Sequence, residues 1–369
     1  MERPIFKSVG TPVLQLDTPA LVVDIDRLEH NITTVHGFFQ SQQVQLRPHV
    51  SDHRCPVIAH KQLAVGGTVG GISVTTLGEA EVFAAHGFQH ILVETAVVTP
   101  AKLRRLCALA LQAAPIVTVD HVENVVALAA AARSHHITLG VMVEVRCQTQ
   151  TRGVAPGKAA LELARFVCQT DHLDFAGLTT TAAQGLATNF HDMQAAAQQW
   201  LAPLLMSRTL IEQAGLPVPT VSVNDAVPYE ILAGIAGVSE IRAGAYALMD
   251  AGHARLLPHL QPAAYILTTV TSRPEPDSAI IDAGQKAVSN DRGLPLVQHS
   301  AGAEVNGLSA EHGRLRLAAD VAAALHVGDR LQLIPQDIGV SSNLYDFIHA
   351  VRHDTLVAVW PVAARGYYR

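Results

Sequence analysis

The sequence predicts an α/β protein: a (β/α)8 barrel of the TIM type plus a C-terminal β-rich domain that also takes in the N-terminal segment. Three observations predict it. Eight short β-branched apolar runs recur along the chain, helical stretches separate most of them, and near Pro262 the pattern changes to strands joined by turns alone.

In chain order, Ala20-Leu21-Val22-Val23 reads as a strand, with Asp24 or Asp26 capping a helix whose apolar stripe is Leu28, Ile32, Val35 and Phe38 or Phe39. Barrel strands are expected at Val44–Val50, Gly71–Thr75, Ile91–Glu94, Ile116–Asp120, Leu139–Val145, Phe175–Thr180, Thr220–Val223 and Glu240–Ala243. Helices fall between them at Leu77–His86, Ala101–Leu111, Val122–Ala132, Ala159–Val167 and Met193–Ala214. Strands alternating with helices demand a parallel sheet, and the count of eight favours closure over an open doubly wound sheet, the plainer alternative. Past Pro262, Tyr265–Thr271, Ser278–Asp282, Leu315–Leu317, Arg330–Ile334 and Leu356–Trp360 read as strands between Gly, Pro and Asp turns. The expected boundaries are 26–261 for the barrel, with 1–25 and 262–369 forming the β-rich domain.

Composition agrees with an enzyme-sized globular chain. Of 369 residues, 49% are hydrophobic and 16% charged, enough apolar surface for a large core and too little charge for disorder. A net charge of -6, with no basic stripe interleaved with aromatics, speaks against nucleic acid. Cys55, Cys107, Cys147 and Cys168 form no CxxC pair, so neither a disulfide framework nor a zinc knuckle is expected. The opening residues lack an export signal, and no apolar run approaches the roughly 18 residues that span a bilayer. A cytoplasmic protein without membrane contact is the expectation.

Two patterns have plain structural readings. Gly66-Gly67-Thr68-Val69-Gly70-Gly71 precedes a strand, whereas a phosphate loop follows one and opens a helix. His49 and His53 have the i, i+4 spacing of a metal pair but sit at a strand end, where their side chains need not converge.

Several segments together resemble the D-threonine aldolase/D-serine dehydratase family. They are 18–24 (TPALVVD), 46–49 (LRPH), 76–81 (TLGEAE), 240–246 (EIRAGAY), 282–287 (DAGQKA), 311–313 (EHG), 343–346 (NLYD) and 360–366 (WPVAARG), in the family's order and over nearly the whole chain. The resemblance implies a head-to-tail homodimer with its site near the subunit interface. It also implies a barrel carrying pyridoxal phosphate (PLP) on a lysine at the end of its first strand, a divalent metal nearby, and D-3-hydroxy amino acids as substrates. PLP withdraws electrons only when its imine is formed and its phosphate and ring are held.

The parts that hold PLP in the family are altered in this sequence. The family's R-P-H-x-K-T-H-K run reads Arg47-Pro48-His49-Val50-Ser51-Asp52-His53-Arg54, with Ser51 in place of the lysine. Lys61 lies a helix away, and Lys286 matches a second lysine of the family. The Gly-rich phosphate loop reads Val221-Ser222-Val223-Asn224-Asp225-Ala226-Val227-Pro228-Tyr229, without glycine, with one amide removed by Pro228 and with a negative charge at Asp225. The family's Tyr-x-Gly-His corresponds to Thr181-Ala182-Ala183-Gln184, and its acidic residue ending the fifth strand to Arg146. Its metal pair corresponds to Asp337-Ile338-Gly339, leaving Asp337 as one weak oxygen ligand. Loss of PLP is therefore expected, with a divalent metal unsupported by the usual pair.

The barrel rim stays polar, which suits a small anionic molecule. His49, His53 and Asp52 are the candidate catalytic residues. Arg47, Ser51, Arg146, Asn224, Asp225, Tyr229, Arg242 and Tyr246 are the candidate substrate-binding residues, with arginines clamping a carboxylate. Each competes with a scaffold role. Three functions stay open: a repurposed lyase using side chains, a non-catalytic binding or regulatory protein, and an enzyme holding PLP without a covalent link.

Overall fold

The computed structural model describes residues 7–147, 152–181, 190–224 and 228–369. The chain divides into two compact units. One comprises Met1–Val35, Asp52–Ile58 and Ala245–Gly366; the other comprises His36–Ser51, Ala59–Gly244 and Tyr367–Arg369.

Strand β1 (Ala20–Asp24) belongs to the first unit. The eight strands of the second are β2 (Gln45–Pro48), β3 (Ile72–Val74), β4 (Ile91–Val93), β5 (Ile116–Val119), β6 (Leu139–Glu144), β7 (Leu173–Thr180), β8 (Val221–Asn224) and β9 (Glu240–Ala243). They pair in parallel, in the order β2-β9-β8-β7-β6-β5-β4-β3. Isolated parallel bridges Leu46↔Thr68 and His49↔Ser73 bring β2 toward β3, so the sheet is a nearly closed barrel, as the eight-run pattern predicts.

Side-chain alternation sorts the strands by chemistry. Leu46, Val74, Val93, Val119, Val143, Leu178, Val223 and Ile241 are buried toward the helical layer, each removal from water contributing about 2 kcal/mol. On the other face of the same strands stand Arg47, Ser73, Thr179, Ser222, Glu240 and Arg242, also buried; all but Ser73, which meets His49, are hydrogen-bonded to one another across the barrel. This interior is filled by polar groups where branched apolar residues more often stack. The glycine run before β3 serves packing: a Cβ on Gly67 would meet the His36 carbonyl at 2.6 Å, and one on Gly71 the His90 carbonyl at 2.3 Å.

The helix Leu77–Ala85 begins with a capping box in which the Thr76 hydroxyl accepts from the Glu79 amide and the Glu79 carboxylate returns to the Thr76 amide. Among the described residues no helix is long and apolar enough to cross a membrane.

The first unit holds a nine-stranded sheet. Its further strands are β10 (Ala264–Ser272), β11 (Ser278–Ile281), β12 (Leu296–Val297), β13 (Ala303–Leu308), β14 (Gly313–Leu317), β15 (Arg330–Ile334), β16 (Phe347–Arg352) and β17 (Thr355–Pro361). β1 lies between β10, antiparallel to it, and β16, parallel to it, so the N-terminal segment is central to the β-rich sheet. By compactness the main divisions fall at Val35/His36 and Gly244/Ala245. Asn31 accounts for the first of these: its amide donates to the Ala247 and Gln261 carbonyls, and its Oδ1 accepts from the Gln261 amide, tying the first half of the helix Ile25–Gln40 to the segment after β9. Asp24 caps that helix by accepting from the Arg27 amide.

Candidate functional site

Loops after the barrel strands converge at the carboxyl rim, where the strands deliver their last side chains. His49 follows β2. Its Nδ1 stands 3.1 Å from Ser73 Oγ and 3.4 Å from Glu94 Oε1, and its Nε2 stands 3.5 Å from Thr75 Oγ1. Glu94 follows β4 and is shared: the same Oε1 accepts from Arg242 Nε at 2.7 Å. Burial opposes ionisation of Glu94, but the charges of Arg242 and His49 outweigh it and hold the carboxyl well below the usual carboxylate range.

Arg242 spends its guanidinium inside the barrel. Besides Glu94 it donates from Nη1 to Thr179 Oγ1 and Ser222 Oγ, and from Nη2 to the Thr180 carbonyl. Ser222 passes a hydrogen bond to Glu240 Oε1, and Glu240 Oε2 accepts from Arg47 Nη2 at 2.8 Å. Arg47 also donates to the His90 carbonyl, and its buried Nε has no acceptor among the described residues. Two arginines and two glutamates thus form one charge-balanced column from β2 through β9 to β4, and a column of this kind demands good geometry because each charge has left water.

Ser51 is buried, donating to Glu79 Oε2 at 2.8 Å and accepting from the Thr75 amide at 2.9 Å. Across the rim, after β6, the chain folds back on itself: Val145 bridges Val154, and the Arg146 amide donates to the Val154 carbonyl. Arg146 is exposed, and among the described residues no acceptor holds its guanidinium. Arg152 instead donates from Nε to Glu144 Oε1 at 2.9 Å and from Nη2 to Thr181 Oγ1 at 3.1 Å. Burial pushes the Glu144 carboxyl up, Arg152 and Arg242 pull against it, and Asp120 adds to the rise.

Asn224 ends β8, and Asp225 lies outside the described residues, as do Ala182, Ala183 and Gln184. Tyr229 is buried against Phe38 and Phe39, with ring centroids at 5.2 and 5.7 Å. Its hydroxyl is pushed upward by burial and by Glu230.

The remaining predicted residues belong to the β-rich unit. There Asp52 accepts through its carbonyl from Ser342 Oγ, and His53 is fully buried with its Nδ1 accepting from the Cys55 amide. Tyr246 is buried in the same unit. Asp337 caps the helix Ile338–Ser342 through the Val340 amide and pairs with Arg292 Nε at 2.9 Å. No group of three or more His, Cys, Asp or Glu poised for a metal ion occurs among the described residues.

His49 therefore meets partners that sequence reasoning missed: Ser73, Thr75 and Glu94. Glu144 and Arg152 were missed as well. Glu94 closes the run Ile91–Glu94 and Glu144 stands one residue before the end of the run Leu139–Val145, and an acid at the end of a barrel strand was the available signal.

Comparison with known proteins agrees with the fold and extends it. Residues 23–251 match the model of the alanine racemase N-terminal domain, and residues 263–351 match the putative serine dehydratase domain. A 3-hydroxy-D-aspartate aldolase of Paracoccus denitrificans (strain Pd 1222) is 32% identical over 368 residues, covering 97% of this chain and 94% of that protein. A D-threonine aldolase of Arthrobacter sp is 31% identical over 369 residues, covering 98% and 96%. The crystal structure of D-threonine aldolase from Filomicrobium marinum superposes with a TM-score of 0.92 at 32% identity, covering 98% of this chain and 99% of that one. By sequence, by fold and by the order of both domains, the chain belongs to the D-threonine aldolase/D-serine dehydratase family, built on the alanine racemase N-terminal domain.

Proposed function

We propose that this chain is a lyase-type enzyme acting on a small carboxylate-bearing hydroxy compound through side chains at the barrel rim, without lysine-bound PLP. One observation carries the proposal. At the position of the family's lysine, the Ser51 hydroxyl is engaged by both Glu79 and Thr75, while His49, two residues earlier, is oriented by Glu94 with its second nitrogen directed at Thr75.

The residues present do not fit the cofactor. Serine has no amine for an imine. The chain's lysines, Lys7, Lys61, Lys102, Lys158 and Lys286, end no barrel strand: Lys61, Lys102 and Lys158 ride on helices, and Lys286 pairs with Glu311 in the β-rich unit. After β8, Pro228 offers no amide, and no glycine stands between Val221 and Ala233 to let backbone approach a phosphate. Asp337, the remaining candidate metal ligand, is already engaged by a helix cap and Arg292.

What the rim supplies in place of PLP is acid–base chemistry. Glu94 fixes the His49 tautomer by facing Nδ1, which directs Nε2 toward the rim to take or give a proton at a substrate hydroxyl. Arg242 keeps Glu94 ionised and in place. The two aldolases above act on 3-hydroxy-D-aspartate and D-threonine by name, so hydroxy amino acids are the first substrates to try.

Two measurements test the reading together. Protein incubated with PLP, reduced with borohydride and mapped by peptide should carry no pyridoxyl-lysine, and His49→Gln should abolish turnover of a panel of 3-hydroxy amino acids and hydroxy acids. A mapped adduct, or turnover equal to wild type in the variant, overturns the proposal. Saturable binding without any turnover in the wild type would favour the non-catalytic reading, consistent with the commitment of Arg47 and Arg242 to the barrel interior.

A further inference from the structure

We infer that Thr75 is a nucleophile activated by His49 and Glu94, and that the rim cleaves short-chain carboxylic esters through an acyl-threonine in addition to its proton-transfer chemistry. The inference rests on the reading of His49 as the base of the rim and gives that base a hydroxyl of the protein's own to act on. Three adjacent barrel strands deliver the three groups: His49 follows β2, Thr75 follows β3 and Glu94 follows β4. The His49↔Ser73 bridge and the Val74↔Val93 register set these strand ends at one level.

The imidazole tautomer sets the direction of proton transfer. Nδ1 of His49 stands 3.4 Å from Glu94 Oε1 and 3.1 Å from Ser73 Oγ. Against burial, the charges of Arg242 and His49 keep Glu94 ionised, and an ionised carboxylate can only accept. The proton therefore sits on Nδ1, and Nε2, 3.5 Å from Thr75 Oγ1, carries the free lone pair. Nothing else among the described residues engages the Thr75 hydroxyl. The separation is that of a resting nucleophile and base, which tightens when substrate binds.

The backbone holds Thr75 rigidly. Its amide donates to Ser51 Oγ at 2.9 Å and to Glu79 Oε2 at 3.1 Å, and its carbonyl accepts from the Thr95 amide at 3.0 Å. Its β-branched side chain keeps little freedom at χ1. Ser51, at the family's lysine position, thus helps to fix the residue that carries the hydroxyl. Thr75 is exposed, whereas the Glu94 side chain is only 12% exposed, so an ester meets the hydroxyl from solvent while the orienting carboxylate stays covered. In the first step Nε2 takes the hydroxyl proton as Thr75 Oγ1 bonds to the carbonyl carbon. The ester C–O bond then breaks, and the departing alkoxide receives that proton from Nε2. Water attacks the acyl-threonine with Nε2 as base, and its proton returns to Thr75 Oγ1 as the acid leaves.

A fluorophosphonate, which traps a base-activated hydroxyl with loss of fluoride, is the probe, and p-nitrophenyl acetate is the ester. Peptide mapping of the native wild-type chain should place the phosphonyl group on Thr75, a readout that depends on no variant folding, and urea-unfolded chain should take up none there. His49→Gln should slow both labelling and ester cleavage about a hundredfold or more. Thr75→Ser should restore labelling at the same position, while Thr75→Val should lose it together with ester cleavage. No label on Thr75 in native wild type, equal labelling of native and unfolded chain, or full labelling in His49→Gln overturns the inference. The two readings separate in the wild type. Turnover of the hydroxy-compound panel without a label on Thr75 sinks this inference alone, and a labelled Thr75 without that turnover sinks the lyase reading alone.

Discussion

Arg242 and Glu94 meet inside the barrel at 2.7 Å, one from β9 and fully buried, one following β4 and still partly exposed at the rim. The pair is the joint between the column that braces the barrel and the imidazole that reaches its rim. Because Oε1 of Glu94 serves Arg242 and His49 alike, a change at Glu94 acts on the scaffold and on the chemistry together.

Glu94→Gln should lower stability by roughly 3 kcal/mol, because the amide leaves the Arg242 charge buried and poorly compensated. The sign of its pH dependence follows from the depressed Glu94 pKa. A carboxyl held below its unfolded value of about 4.3 stabilises the fold fully above that value and loses the contribution as pH falls through the folded one. The stability gap between wild type and Glu94→Gln, measured by urea unfolding, should therefore narrow as pH drops below about 4 and stay constant above about 5. A gap that holds its size down to acid pH would mean that Glu94 is not ionised against Arg242.

Ser51→Ala should cost about 1 to 3 kcal/mol, since the Thr75 amide loses an acceptor and Glu79 a donor in a buried place. Thermal or urea unfolding of the variant measures this. A neutral substitution would show the hydroxyl to be idle and position 51 to have no structural role.

How far the sequence foretold this rim depends on which property of a residue matters. Strand periodicity and the helix-strand alternation located all eight barrel strands to within a few residues, because short β-branched runs between helical stretches stand out even where the inner face carries polar side chains. Asp24, one of two candidate helix caps, was likewise legible from local chemistry. Long-range partners were not. Nothing in the run Arg47-Pro48-His49 announces that Arg47 turns to Glu240 while His49 turns to Glu94, because both partners come from strands distant in sequence. The spacing of His49 and His53 likewise says nothing of their placement in different units. Strands β13 and β16 escaped the reading because their apolar residues are interleaved with Glu304, Asn306 and His349 in short, half-buried runs.

Gly78→Ala should loosen the C-terminal tail without unfolding the barrel. A Cβ there would lie 2.4 Å from the Arg369 oxygen and 2.8 Å from the Tyr367 carbonyl, both backbone atoms that cannot rotate away. The tail is otherwise held by Thr76 Oγ1 donating to the Tyr367 carbonyl and by Arg105 Nη2 donating to the Arg369 oxygen. Within the helix, alanine gains roughly 0.5 to 1 kcal/mol over glycine, which offsets part of the clash. Hydrogen exchange should show faster exchange at Tyr367–Arg369, with the global unfolding midpoint nearly unchanged. Tail protection equal to wild type would contradict the contact.

Glu144→Gln should show a pH dependence in the window adjoining that of Glu94→Gln and of opposite sense. The Glu144 carboxyl is raised, first by burial and then by Asp120, with Arg152 and Arg242 opposing. A folded pKa above the unfolded value of about 4.3 means that the native state holds an extra proton in the interval between them, so folding stability falls as pH rises across it. Glutamine carries no such penalty, although it also weakens the charge-assisted bond from Arg152. The stability of Glu144→Gln relative to wild type should therefore improve as pH rises from about 4 toward neutrality, while Glu94→Gln holds a constant deficit over the same range. Parallel urea series on the two variants read both slopes at once. A Glu144→Gln difference that is flat above pH 4 would place the Glu144 carboxyl at or below its ordinary value and make Arg152 the dominant influence on it.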